Sequence, residues 1–150
     1  MTDDNMILAG PIGSKDRRLE GWLNGETDEL TRGVHISAAD LVIDVGCGDG
    51  GLIHFCANRG AEVYFIDRDP ERLASTEAKV QASPARGYKA ILSDCDPIPL
   101  DDGIGDLVVC TEVLEHVPDP AKFLRELIRI TKPGARLLLT VPDARSEQFV

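Results

Sequence analysis

The stretch VIDVGCGDGG, residues 42–51, sets glycines at positions 46, 48, 50 and 51 directly behind an apolar run and brackets them with Asp44 and Asp49. Glycines so spaced let a backbone turn tightly and lie against a ligand where a Cβ would intrude. Gly46, Gly48 and Gly51 also satisfy G-x-G-x-x-G, which between a strand and a helix binds dinucleotides through an anionic pyrophosphate. A structural glycine turn satisfies the same spacing, so the flanking chemistry has to decide.

Asp44 and Asp49 oppose an anion at that place. They favour a cation, and S-adenosylmethionine, with its ammonium and sulfonium and no phosphate, meets that demand. Asp44 is the candidate for holding the amino-acid end of such a ligand, directly or through water; a carboxylate capping loop N–H groups is the alternative. Asp67 lies about 20 residues beyond the glycines, the distance at which a carboxylate accepts both ribose hydroxyls of an adenosine. Arg68 follows it and can lie beside the adenine. In LSDCD, residues 92–96, Asp94 can accept the adenine amino group while a neighbouring backbone N–H completes the edge; Asp96 is an alternative acceptor, and both acids can be loop caps.

These groups need a scaffold that brings strand ends together. LVIDV (41–45), EVYFID (62–67), YKAIL (88–92), GDLVVC (105–110) and ARLLLTV (135–141) read as buried strands. Between them, Gly50 to Arg59 reads as a helix burying Leu52, Ile53, Cys56 and Ala57. A second starts at Pro70 behind an Asp69 cap, with Leu73, Ala74 and Ala78 inward. A third, from the Asp119 cap and Pro120, presents Phe123, Leu124, Leu127, Ile128 and Thr131 on one face and ends at Lys132, Pro133 and Gly134. Strands alternating with helices imply right-handed crossovers and a mainly parallel sheet covered on both faces, with the glycine loop at the carboxyl end where such sheets bind ligands.

The chain has 150 residues, the size of one ordinary domain, and a net charge of −10, with no long basic run to build a nucleic-acid face. Cys47, Cys56, Cys95 and Cys110 form no C-x-x-C pair and are expected as reduced thiols. The acidic N-terminus is unlike a secretory signal, and no apolar run reaches the roughly 18 residues of a membrane span. The expectation is a cytoplasmic protein with a small-molecule partner, without nucleic acid or membrane span.

VIDVGCGDG, Asp67, LSDCDPIPL, DLVVCTEVLEHVPDP and LIRITKPGARLLLTVP, in that order over 41–142, resemble the class I S-adenosylmethionine-dependent methyltransferases, type 11-like. CTEVLEHVPDP is most similar to the branch containing the ubiquinone-biosynthesis O-methyltransferases. The Asn-Pro-Pro-aromatic block of many base and amide N-methyltransferases is absent. The resemblance implies a Rossmann-like three-layer α/β sandwich and S-adenosyl-L-methionine as cofactor. It implies a site in which Asp44, Gly46 and Gly48 contact the methionine part, Asp67 the ribose and Asp94 the adenine, with Cys47, Arg68, Cys95, Thr111 and Glu112 as the remaining expected cofactor-binding residues. The expected function is methyl transfer to an oxygen or carbon of a small molecule; an NAD-dependent oxidoreductase and a non-catalytic cofactor-binding module are the alternatives.

Glu112, Glu115 and His116 form E-x-x-E-H, which supplies divalent-metal ligands in some relatives; here no metal is assigned, and the three are read as pocket wall and turn. His116 is the candidate general base for a hydroxyl or carbon acceptor. Residues 1–40 are expected as a helical or lid segment in which Trp22 docks on the body, and 41–150 as the cofactor-binding core. The resembled fold continues after the fifth strand with an antiparallel hairpin that this sequence lacks, leaving ARLLLTV as a sheet edge. A missing C-terminal part is the preferred reading; cover by a homodimer partner or by the N-terminal segment folding back are the others.

Overall fold

Apolar residues on both faces of a strand demand cover on both sides, and the computed structural model, which describes residues 6–9 and 21–142, supplies it. In chain order the elements are β1 (Met6–Ala9), β2 (Glu29–Thr31), β3 (Val34–His35), β4 (Leu41–Val45), α1 (Gly51–Asn58), β5 (Glu62–Asp67), α2 (Pro70–Gln81), β6 (Gly87–Leu92), β7 (Gly105–Thr111), a 3₁₀ turn at Leu114–His116, α3 (Pro120–Ile130) and β8 (Thr131–Thr140). Six strands form one sheet in the order β1-β8-β7-β4-β5-β6, and every neighbouring pair is parallel. The order reverses at β4, so a crevice opens beyond its carboxyl end, in a Rossmann-like arrangement.

Alternate residues of the strands feed two cores. Val42, Val63, Phe65 and Val109 face α1, α2 and the β2–β3 hairpin, and Ile43, Val45, Ile66 and Val108 face α3. α2 is capped as its sequence predicts, with Asp69 Oδ1 accepting from Glu71 N at 2.9 Å. Its buried stripe is Leu73, Thr76 and Val80; Ala74 and Ala78 are exposed, because the helix turns Thr76 toward the glycine loop. On α3 the buried residues are Phe123, Leu127 and Ile130, spaced i, i+4, i+7. Ile128 falls outside that stripe, and Thr131 already belongs to β8, where its hydroxyl donates to Leu127 O at 2.7 Å.

Two expectations for the segment before β4 need correction. Residues 21–40 contain no helix; they form an antiparallel hairpin, β2 with β3, whose Leu30 and Val34 pack beneath α1. Trp22, 3% exposed, docks into the same core, as expected. The rest of the predicted helix, before residue 21, lies outside the described residues. The second correction concerns the edge: β8 is not the last strand, because β1 pairs with it over Met6↔Leu137 to Ala9↔Thr140. Of the three covers considered, the N-terminal segment is the one that occupies this edge. Among the described residues no helix is long and apolar enough to cross a membrane.

Candidate functional site

The glycine loop runs from β4 into α1, and nearly every amide along it is already committed. Ile66 O accepts from Gly46 N at 2.8 Å and Cys47 N at 3.0 Å, and Cys47 O accepts from Gly50 N at 2.9 Å. Asp67 Oδ2 accepts from Gly48 N at 3.0 Å, and Asp49 Oδ1 from Gly51 N at 2.9 Å. The first N–H of α1, the usual seat of an anion, therefore faces the chain's own carboxylate.

Two glycines matter for different reasons. A Cβ on Gly46 would stand 2.5 Å from Val113 Cγ2, so its absence lets β4 and the segment after β7 close together. Gly48, at φ +55°, has nothing within 4 Å of a Cβ position, and it lines the cavity. There the missing side chain leaves room for a ligand.

The cavity is about 590 Å³, within the size range of small-molecule sites. Gly46, Cys47, Gly48, Asp67, Arg68, Asp94, Cys95, Thr111, Glu112 and His116, all singled out from the sequence, line it together. Asp44 does not: it is 2% exposed within β4, one residue below the rim. Asp96 is turned away and holds Lys122 Nζ at 2.9 Å, which leaves Asp94 as the acid of that loop at the cavity. The Cys95 N–H beside Asp94 is given to Ser93 Oγ at 3.0 Å.

Asp67 has a structural task that its spacing did not disclose. One oxygen holds Gly48 N, and the other accepts from Asp69 N at 2.9 Å, tying the glycine loop to the start of α2. Each carboxylate oxygen retains acceptor capacity toward the cavity. Cys95 (φ +61°) and Glu112 (φ +55°), on different walls, adopt left-handed backbone conformations unusual for residues with a Cβ. Glu112 is fixed there by its N–H, which donates to Thr140 O at 3.0 Å.

The thiols are poor nucleophiles. Burial, reinforced by the Asp44 charge, pushes Cys47 up to about 12, and burial with the Asp94 charge pushes Cys95 up to about 11. All four cysteines are free. His116 stands at the rim, its side chain 71% exposed, with Nε2 3.4 Å from Glu115 Oε1. Among the described residues no three His, Cys, Asp or Glu side chains gather as a metal-binding group.

Other wall residues were not singled out. Leu52 from the α1 side and Val113, Val117 and Phe123 from the α3 side add apolar lining, and Arg72 also lines the cavity, with its Nε 3.7 Å from Asp69 Oδ2. Phe123 and Leu52 were read as helix core, since periodicity cannot separate core from cavity lining at a helix end. For Arg72 the available signal was its place in the first turn of the helix that follows Asp67.

Comparison with known proteins agrees with this geometry. Residues 43–139 match the family described as "Methyltransferase domain". The ubiquinone biosynthesis O-methyltransferase of Pseudomonas paraeruginosa is 39% identical over 116 residues, 75% of this chain and 49% of that protein. The chloroplastic tocopherol O-methyltransferase of Arabidopsis thaliana is 39% identical over 101 residues, 65% of this chain and 29% of that protein. The chain thus spans about half the length, or less, of these curated relatives. A crystal structure of a SAM-dependent methyltransferase from Aquifex aeolicus superposes with a TM-score of 0.61 at 26% identity, covering 83% of this chain and 70% of that one.

Proposed function

The chain belongs to the methyltransferase-domain family, and from that premise we propose that it binds S-adenosyl-L-methionine in the crevice beyond β4 and directs methyl transfer to an oxygen or carbon atom of a small-molecule acceptor. The observation that carries the choice of ligand is the commitment of the loop amides. Gly46, Cys47, Gly48, Gly50 and Gly51 all donate to acceptors within the protein, so a pyrophosphate would have to displace them. That arrangement, with Asp49 on the first N–H of α1, disfavours the NAD-linked alternative.

In this reading Gly46, Cys47 and Gly48 surround the methionine end, and Asp44 acts on it through water or through the loop from its buried position. Asp67 accepts from the ribose hydroxyls with the oxygen capacity left after its two backbone bonds. Arg68 lies beside the adenine, Asp94 accepts from its amino group, and Cys95 closes that wall. Thr111 and Glu112 face the sulfonium side. When bound, the cofactor supplies a methyl group already activated on a cationic sulfur. The protein's task is then to align and to exclude water, for which orientation can supply roughly 7–11 kcal/mol in favourable cases. Val113, Val117 and Phe123 give the acceptor an apolar wall. His116 takes the proton from a hydroxyl acceptor, oriented by Glu115. The O-methyltransferase names of both curated relatives support oxygen as the receiving atom.

Calorimetry with S-adenosylhomocysteine and with NAD, followed by turnover on a panel of hydroxylated acceptors, tests the proposal. Preferential binding of S-adenosylhomocysteine is expected, and equal or tighter NAD binding overturns the reading. Binding with no turnover on any acceptor leaves the non-catalytic module as the better description. His116→Ala should lower kcat by about 10²–10⁴ with unchanged S-adenosylhomocysteine affinity; an unaltered kcat removes His116 from catalysis.

A further inference from the structure

The connection from β6 to β7 contains no helix; residues 93–104 cross the α3 face of the sheet as irregular chain. Its first residues, Ser93, Asp94 and Cys95, are cavity wall. A segment of this kind has no internal ladder to hold it, so its polar backbone groups must find partners elsewhere.

They find them on one stripe of α3. Lys122, Glu126 and Arg129, spaced i, i+4, i+7, lie beside the apolar stripe of Phe123, Leu127 and Ile130. Lys122 Nζ binds Asp96 Oδ1 at 2.9 Å, and Glu126 Oε1 accepts from Ile98 N at 3.0 Å. Arg129 Nη1 donates to Leu100 O at 2.7 Å and to Asp102 Oδ1 at 2.8 Å. Arg129 Nη2 donates to Ile98 O at 2.8 Å and Glu126 Oε1 at 3.1 Å, while Nε donates to Glu126 Oε2 at 2.6 Å. All five guanidinium N–H donors are thereby used. The helix also accepts in return: Gly103 N donates to Arg129 O at 2.8 Å and Ile104 N to Ile130 O at 3.0 Å, which satisfies carbonyls at the end of α3. Between these ties the side chain of Ile98 is buried.

The ties from Glu126 and Arg129 begin at Ile98, three residues after Cys95, whose left-handed backbone has to be held by its surroundings. The same helix contributes Phe123 to the cavity lining, in the apolar cluster against which Cys95 packs. We infer that Arg129, remote from the cavity itself, is a positioning residue for ligand binding: through Ile98, Leu100 and Asp102 it holds the segment that presents Asp94 and Cys95 to the adenosine part. The inference rests on the proposed function for the identity of the ligand. Lysine cannot replace Arg129, because a single ammonium has three donors at one point and cannot reach two carbonyls and two carboxylates spread around a planar fork.

The test is calorimetric titration of the parent chain and of Arg129→Lys with S-adenosylhomocysteine, alongside hydrogen exchange of both. Arg129→Lys is expected to raise the Kd about tenfold or more and to speed exchange across 96–104, with protection of β4 unchanged. A Kd within twofold of the parent despite faster exchange in the segment overturns the inference. So does a weakened Kd with unaltered exchange there. Failure of the parent to bind overturns the functional reading itself, whereas equal binding by parent and variant overturns only the role of Arg129. If Arg129→Lys shows no cooperative melt, Glu126→Ala, which takes the acceptor from Ile98 N and the partner from Arg129, decides by the same two readings.

Discussion

Asp67 carries two loads that pull a mutational experiment in different directions. Its spacing from the glycines suggests a carboxylate needed only by the ligand, in which case Asp67→Ala would weaken binding and leave folding untouched. The bonds to Gly48 N and Asp69 N make it also the tie between the glycine loop and α2. Removing it leaves two N–H groups of the rim without their acceptor, at about 1–3 kcal/mol for each that water cannot reach. The expected outcome is a double one: a loss of one to a few kcal/mol in S-adenosylhomocysteine affinity by calorimetry, and a lower melting temperature of the ligand-free protein by circular dichroism. Asp67→Asn, which keeps one acceptor oxygen, should recover more of the stability than of the affinity. An unchanged dissociation constant in a folded Asp67→Ala variant would remove Asp67 from the site.

At the scale of the element, α3 shows why some of the structure was legible and some was not. Its start was readable, because Asp119 and Pro120 are start signals with a local mechanism, and Asp119 Oδ1 does accept from Lys122 N at 3.1 Å; its stop was not, since β8 begins at Thr131, ahead of Lys132, Pro133 and Gly134. Its inward face was readable only in part, since Leu127 and Ile128 are adjacent, both apolar and both compatible with a helical stripe. The sheet chooses between them: Leu127 is fully buried and Ile128 is 36% exposed. Leu127→Ala should therefore cost about 2–5 kcal/mol in chemical denaturation, and Ile128→Ala well under 1 kcal/mol as a surface change. Comparable losses at both positions would mean that the register of α3 is wrong. Most of the cavity was legible for a related reason: strand ends and the glycine loop lie where the topology of a parallel sheet puts ligands. The clamp from Arg129 was not legible, because two of its acceptors, Ile98 O and Leu100 O, are backbone carbonyls without a sequence signature, and Asp102 lies far from it along the chain. The β2–β3 hairpin was missed because its strands are only three and two residues long, too short for alternation to register.

At the scale of the whole molecule, the strand that pairs with β8 was the least visible from the sequence, since MILA at 6–9 is four apolar residues without alternation, too short for periodicity to register. Its partner β8 holds Leu137 and Leu138 at 0% exposure, and without β1 the outward N–H and C=O groups of that strand would be an open template for another chain. β8 also reaches the site: Thr140, the residue paired with Ala9, accepts from the N–H of Glu112 on the cavity wall. Deleting residues 1–10 should thus do two things at once. Amides of 137–140 should lose protection in hydrogen exchange, and the protein should self-associate in light scattering coupled to size exclusion. The truncated chain loses only Asp3 and Asp4 from a net charge of −10 and stays strongly acidic, which opposes association between copies, so the oligomer should grow as salt is raised, because at about 1 M the screening length falls to roughly 3 Å and the exposed edge then meets its like with little repulsion. Affinity for S-adenosylhomocysteine should fall with the loss of protection, since a frayed end of β8 releases the Glu112 backbone from its left-handed setting. A monodisperse monomer at both low and high salt, with protected amides over 137–140 and undiminished affinity, would show that β8 is stable as an edge and that the cavity wall does not depend on β1.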